Sequence, residues 1–249
     1  MAVVWQKDIN GTHYEVRKAG NSTRLYTDGV FHSQYNPEHR LTKGVWDLLM
    51  LPAFFQPPGS IKRVLVLGVG GGSVLQLIHQ FVKPEVLIGI ELIPVHLTIA
   101  KRFFGVDKKI ARLYLADAVN WLQNYTGPPF DMIIDDLFGE ENGEGVRAVS
   151  LNSTWFNLLN KNLSKIGILV VNLLCTKTLL DSAYFTNPRI AGNYDSVYKL
   201  TFPQFHNVIA AFLKQQSSNT LLRRNLLQCP ELDFKKQYSK TPFRVQRVN

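Results

Sequence analysis

The sequence predicts an α/β fold: a mostly parallel sheet covered by helices, preceded by a small antiparallel β-sheet. Three observations carry this. From Ile61 onward short apolar runs alternate with helical patterns, which is how a parallel sheet buried on both faces reads. Before that, β-branched and aromatic runs are separated by turn residues. Between the two lies the stretch VLVLGVGGGSVLQLI, in which an apolar strand ends on glycines and restarts as a helix.

The N-terminal runs are VVWQKDI, THYEVRKA, TRLYT and VFHSQY. Asn10-Gly11, Gly20-Asn21-Ser22 and Asp28-Gly29 punctuate them as turns. Asn36 is then placed to cap a helix with Pro37 at its first position, running through EHRLTKGVWDLLML and ending before Pro52. Pro57-Pro58-Gly59 reads as a linker. The expected organisation is residues 1–36 as the small sheet, 37–60 as helix and linker, and 61–249 as the α/β domain.

In that domain the expected strands are KRVLVLG, VLIGIE, ARLYLA, FDMIID and GILVVNLL. The helices between them are SVLQLIHQF, PVHLTIAKRFF, AVNWLQNY and STWFNLLNKNL. NVIAAFLK and FRVQRV close the chain as two further strands, read as an antiparallel hairpin. Residues 176–210 are expected to hold a helix and a loop.

Composition narrows the class. Apolar residues make up 45% of the 249, enough for a sizeable core. No apolar run reaches the ~18 residues of a membrane span, and the first residues lack the pattern of a signal peptide. The two cysteines, Cys175 and Cys229, argue against a disulfide scaffold or a cysteine zinc site. The histidines show no metal-ligand spacing, so no metal is expected; His79, His96 and His206 read as packing or surface residues. A cytoplasmic setting is the default. Residues 1–150 carry 15 basic and 15 acidic side chains, whereas residues 151–249 carry 13 basic and 4 acidic, which is the whole net charge of +9. Such a surplus allows an acidic or nucleic-acid partner. Its residues are spread out, so a solvated basic face is the favoured reading.

The glycine turn is the first candidate site. Gly68, Gly70 and Gly72 allow a tight turn and close approach to a ligand, and Glu91 ends the next strand 23 residues after Gly68, where an acid grips ribose hydroxyls. Two ligand classes fit. A dinucleotide fingerprint would run from Gly68 with Ser73 in place of its third glycine. S-adenosylmethionine or a derivative is favoured by Asp117, placed at the next strand end to reach an adenine amine, and by Asp135 and Asp136 at the end of FDMIID. Asp117 equally suits the N-cap of the following helix. Asp135 points to the opposite face from Asp136 if the strand continues regularly.

With these parts in order, residues 14–214 resemble the spermidine synthase family, aminopropyltransferases built on the methyltransferase-type Rossmann-like sheet. LYTDGVFHSQYNPEHRL resembles the family's turn and gate, VLVLGVGGGSVL its glycine loop, GIEL its ribose strand, LADAVNWL its adenine turn and FDMIIDDLF its catalytic strand. The resemblance implies a donor site of Gly68, Val69, Gly70, Gly71, Gly72, Glu91, Leu92, Asp117, Ala118, Asp136 and Leu137, with Asp136 as the catalytic base. It also implies a homodimer and a small-molecule acceptor.

The acceptor side departs from the family. Gly71 stands where the family has an aspartate for the propylamine tail. Leu137, Phe138 and Gly139 replace serine-serine-aspartate, and Leu41, Thr42 and Lys43 replace tyrosine-glutamine-glutamate. His32 or Gln34 takes the place of the gate glutamine. Asp135 and the acids of GEENGEG, Glu140, Glu141 and Glu144, are the remaining candidates to meet a cationic acceptor, the segment reading as a flexible loop or lid. Methyl transfer from S-adenosylmethionine to an unidentified nucleophile is therefore the favoured expectation. True aminopropyl transfer from the decarboxylated donor, a non-catalytic adenosine-binding protein and an NAD-dependent enzyme are the alternatives.

Overall fold

The computed structural model describes residues 1–39, 41–141, 144–233, 235–236 and 243–248, with residues 140, 141 and 144 described by their backbone alone. Four strands open the chain as an antiparallel meander: β1 (Ala2–Ile9), β2 (Thr12–Ala19), β3 (Ser22–Thr27) and β4 (Val30–Tyr35). Alternation decides which face is covered: in β3, Thr23, Leu25 and Thr27 are buried and their neighbours are not.

The expected helix from Pro37 is corrected. Asn36 does accept from the backbone N–H groups of Glu38 and His39, but the turn it caps is not continued. Lys43 takes a left-handed conformation at φ 54°, which ends any helix approaching it. The Asp47 carboxylate pins this loop by accepting from the N–H groups of Thr42 and Lys43 and from the Thr42 hydroxyl. The helix α1 begins only at Val45 (Val45–Met50), and a 3-10 turn, Leu51–Phe55, then carries the chain through Pro52.

The main sheet follows with β5 (Arg63–Leu67), α2 (Ser73–Leu77, extended by a π-turn at Ile78–Val82), β6 (Val86–Glu91), α3 (Pro94–Phe103), β7 (Arg112–Leu115), α4 (Ala118–Asn124) and β8 (Phe130–Asp135). Where the composition of GEENGEG reads as a loop, β9 (Phe138–Glu141) and β10 (Glu144–Arg147) pair antiparallel, residues 142–143 between them lying outside the described residues. Next come α5 (Ser153–Asn162), β11 (Leu163–Leu173) and three short helices, α6 (Thr176–Leu180), α7 (Ala183–Thr186) and α8 (Pro188–Ala191). The chain continues with β12 (Ser196–Thr201), β13 (Val208–Leu213), α9 (Asn219–Leu227) and β14 (Arg244–Arg247).

Among the described residues eight strands form the sheet in the order β14-β12-β13-β11-β8-β5-β6-β7. From β11 to β7 all neighbours run parallel. The last two strands do not pair with each other, against the expectation from sequence. Instead β12, hidden in the segment read as helix and loop, lies between them and pairs antiparallel with both. The strand pattern of SVYKLT is broken by Ser196 and Lys199, so pairing on both sides rather than hydrophobicity defines it.

Core residues cover both faces of the sheet. On one face Val64, Val66, Met132 and Ile134 pack with α2, α3 and α9, and Val16 and Leu25 of the N-terminal sheet join the same cluster. On the other, Leu65, Leu67 and Ile133 pack with α4, α5 and the short helices. The N-terminal sheet is thus clamped onto the domain beside the carboxyl ends of β5, β6 and β8. Among the described residues no helix is long and apolar enough to cross a membrane.

Candidate active site

A cavity of about 630 Å³ opens at the carboxyl ends of the parallel strands, where an α/β sheet places its ligands. The glycine turn forms one wall. Gly68 (φ 85°) needs its missing side chain twice over, for its backbone angle and because a Cβ would collide with the carbonyl of Asp136. This contact brings the turn against the end of β8.

Glu91 braces the same turn. One carboxylate oxygen accepts from the N–H groups of Val69 (2.9 Å) and Gly70 (2.8 Å), and the other accepts from Ile93 N–H at 2.9 Å. Burial pushes the Glu91 carboxyl up, but the nearby His96 imidazole and the backbone donors outweigh it, so its pKa lies below the usual range. Glu91 stays ionised and keeps lone pairs for further donors such as hydroxyls. Asp117 caps α4 by accepting from Asn120 N–H with Oδ1 (2.8 Å), and it also lines the cavity. Both readings of Asp117 are thus compatible. Leu92, Ile93, Ala118 and Leu137 supply apolar lining around these acids.

Gly71 and Gly72 are corrected: neither lines the cavity. Gly71 N–H donates to Ser33 Oγ (2.7 Å), and a Cβ there would sit 2.8 Å from both Ser33 Cβ and Phe104 Cζ. The position has no space for a side chain. Ser73, the mismatch to a dinucleotide fingerprint, has its own role. Its hydroxyl donates to Gln34 O and accepts from Gln34 N–H, both at 2.8 Å, which fastens β4 to the glycine turn. Gln34 is therefore held at this junction, its side chain accepting from Arg24, and it does not line the cavity. His32 does line it.

The two adjacent aspartates part company. Asp135 is fully buried and outside the cavity lining, which corrects its candidacy as an acceptor residue. One of its oxygens accepts from Arg147 Nη2 (2.7 Å) and Trp155 Nε1 (2.8 Å). Asp136 lines the cavity. Its Oδ1 accepts from Asn172 Nδ2 at 2.8 Å, and Asn172 Oδ1 in turn accepts from Asn207 Nδ2 at 3.0 Å. Among the described residues nothing bonds Asp136 Oδ2. Burial raises the Asp136 pKa to about 6; the Asn172 donor opposes this and the Asp135 charge adds to it.

Sequence reasoning missed Asn172, Asn207 and His96. His96 is buried on α3, with Nε2 3.1 Å from Thr27 Oγ1, Nδ1 3.7 Å from Glu91, and its ring centroid 5.4 Å from that of His32. Among the described residues His32 Nε2 is buried without a partner, and burial holds the His32 pKa down to about 4, so the ring is neutral. Glu140 and Glu141 lie on β9, but their side chains fall outside the described residues, as does that of Glu144.

No protein-family model matches the sequence. The chain is 31% identical over 122 residues to polyamine aminopropyltransferase 2 of Caldanaerobacter subterraneus subsp. tengcongensis, covering 48% of this chain and 39% of that protein. It is 24% identical over 197 residues to the polyamine aminopropyltransferase of Vibrio vulnificus, covering 76% and 60% respectively. The eEF1A lysine and N-terminal methyltransferase of Mus musculus matches at 22% over 135 residues, 51% of this chain and 19% of that one. The matches thus span less than two thirds of each relative. Among solved structures, a probable spermidine synthase from Corynebacterium glutamicum superposes with a TM-score of 0.70 at 15% identity, covering 99% of this chain and 91% of that one. A spermidine synthase in complex with the transition-state analogue AdoDATO gives 0.67 at 14%, covering 91% and 77%. Human methyltransferase-like protein 13 in complex with SAH gives 0.61 at 18%, covering 75% and 90%. The chain therefore has the Rossmann-like fold of spermidine synthases and class I methyltransferases, with the small N-terminal sheet in front of it.

Proposed function

We propose that the protein is a sulfonium-dependent transferase that moves a methyl group from S-adenosylmethionine to a nucleophile which Asp136 deprotonates. The residues present fit such a donor. Glu91 offers ionised lone pairs to ribose hydroxyls, Asp117 keeps an oxygen for an adenine amine, and Leu92, Ala118 and Leu137 offer apolar contact. The orphaned His32 Nε2 is a buried polar atom suited to a ligand partner. Bound there, the donor would supply a carbon already activated by its sulfonium, the C–S electron pair leaving on sulfur.

The protein's own task is then to position a nucleophile and remove its proton. Asp136 suits this. Asn172 fixes one oxygen, the other is open to the cavity, and a pKa near 6 leaves the carboxylate ionised at neutral pH while making it a stronger base than an ordinary aspartate. The proton passes from the nucleophile to Oδ2.

The observation that carries methyl over aminopropyl transfer is the closed position at Gly71. In the family the chain resembles, an aspartate at this position pairs with a bare ammonium tail, whereas Gly71 carries no charge and Ser33 and Phe104 fill its Cβ direction away from the cavity. Glycine removes that pairing, and the crowding leaves no room to restore it. The aminopropyl reading is favoured by the 31% identity to a polyamine aminopropyltransferase and by Asp136 itself. Calorimetric titration with S-adenosylmethionine and with its decarboxylated form separates the two. Tighter binding of the intact donor, with a methylated product by mass spectrometry, is expected. Preference for the decarboxylated donor would reverse the assignment. Tight donor binding without turnover, unaltered by Asp136→Asn, would indicate a non-catalytic binding protein.

A further inference from the structure

The cavity is larger than its adenosine-compatible end, and the rest of its wall has a different chemistry. Val30, Phe31 and Trp46 come from the N-terminal sheet and α1, Phe138 from β9, Asn172 from β11 and Asn207 from the loop just before β13. Phe31 and Trp46 meet edge to face with centroids 5.1 Å apart, and Tyr26 stacks behind Phe31 at 5.2 Å. This wall is apolar and aromatic with neutral amides at its edge.

Charge is confined. Among the described residues, the cavity is lined by three carboxylates, Glu91, Asp117 and Asp136. Glu91 spends both oxygens on backbone amides and Asp117 caps a helix. On the donor reading the second oxygen of Asp117 serves adenine, which leaves Asp136, among the described residues, as the carboxylate with an oxygen for a cation. His32, held neutral by burial, adds no charge of either sign.

Resting on the transferase reading above, we infer that the acceptor is a primary monoamine on an apolar, aromatic-sized body, its nitrogen at Asp136 and its body against Phe31 and Trp46. One ammonium meets one carboxylate. The proton moves from the ammonium to Asp136 Oδ2, leaving a neutral amine and a neutral carboxylic acid. A diamine would bring a second ammonium into the aromatic wall with no carboxylate partner among the described residues, and desolvating it there is costly. An aromatic or alkyl tail in the same place gains from leaving water and from edge-to-face packing.

The test measures binding, not turnover. Phenethylamine and putrescine serve as probes, titrated into the full chain by calorimetry and by tryptophan fluorescence, since Trp46 is the one tryptophan in the wall. Phenethylamine is expected to bind at least about tenfold more tightly than putrescine. Phe31→Ala, at a side chain 38% exposed, is expected to cost about tenfold for phenethylamine and to leave putrescine unchanged. Phe31→Leu, which keeps an apolar surface, should recover part of the loss, and thermal melting confirms that each variant is folded. Equal or tighter putrescine binding would overturn the inference, including the case where Glu140→Gln, Glu141→Gln and Glu144→Gln together abolish it. So would phenethylamine binding that ignores Phe31. Titration with S-adenosylhomocysteine runs in parallel. If it binds while the amine preference fails, only this inference falls; if it fails to bind while phenethylamine binds through Phe31, the transferase reading falls.

Discussion

Asn172 donates from Nδ2 to Oδ1 of Asp136 over 2.8 Å, and Asn207 donates to the Oδ1 of Asn172 over 3.0 Å. The relay orients the middle amide. With its oxygen occupied by Asn207, Asn172 presents its NH2 to the carboxylate, and the second Asp136 oxygen is left facing the cavity. The hydrogen bond from Asn172 favours the ionised form and so opposes the effect of burial. Asn172→Ala is therefore expected to move the rising limb of the pH–rate profile upward from about 6. A profile with its limb unchanged would show that Asp136 is not the group being titrated.

Asp136→Asn tests the base directly. General-base catalysis contributes about 10²–10⁴ in rate, and a loss of that size is expected in transfer to the acceptor. Donor affinity measured by calorimetry should change by less than about threefold. A large loss of donor binding with little loss of turnover would assign Asp136 to binding instead.

The same substitution has an opposite effect on stability. Asp136 has a folded-state pKa raised from 3.8 to about 6, so ionising it costs the folded state. The contribution of the protonated group is fully present below pH 4 and is lost as pH rises through 6. Asp136→Asn escapes this loss. Thermal melting should show no gain at pH 4, a gain growing between pH 4 and 6, and a plateau above that of up to about 3 kcal/mol. A gain independent of pH would contradict the linkage.

Why these residues were partly legible follows from what each depends on. FDMIID and VLIGIE were read with the bounds they have, because a continuous apolar run between turn signals is a local property. Glu91, Asp117 and Asp136 were singled out because each lies at or just past the end of a strand. Asn172 and Asn207 could not be, since their roles depend on register between distant strands. The parallel ladder sets Val171 beside Asp135, which places Asn172 next to Asp136, and the antiparallel ladder sets Ile209 opposite Asn172, which brings Asn207 near. His96 reads as one more histidine on an amphipathic helix until α3 packs under Glu91. The pairing of β9 with β10 was hidden because the glutamates and glycines of these strands mimic a solvated loop. Gly71 was seen to depart from the family pattern, yet that Ser33 and Phe104 fill the space is information only packing provides.

Gly71→Ala probes that packing. The added Cβ would lie 2.8 Å from Ser33 Cβ and from Phe104 Cζ, closer than real Cβ contacts come. Both neighbours are buried, so accommodating it means shifting β4 against the glycine turn. A loss of about 1–3 kcal/mol in denaturant unfolding is expected, and Gly71→Asp should be worse. A Gly71→Asp variant that is stable and prefers the decarboxylated donor would show that the turn can open, and would undercut the argument for methyl transfer.

Arg147 holds the far side of the site together. Its guanidinium donates to Asp135 at 2.7 Å, to the carbonyl of Asn172 at 2.8 Å and to the carbonyl of Val149, with only 7% of the side chain exposed. It therefore fastens the end of the β9–β10 pair to the strand that carries Asn172. Removing one member of a buried ion pair leaves the other charge unmatched, at a cost of about 3–5 kcal/mol. Arg147→Met is expected to destabilise the fold by that amount in urea unfolding. Adding Asp135→Asn should recover part of it, because Trp155 still donates to the remaining oxygen and no buried charge is left. If the double variant is no more stable than Arg147→Met alone, the loss comes from the β9–β10 pair and the two carbonyl contacts rather than from the Asp135 charge.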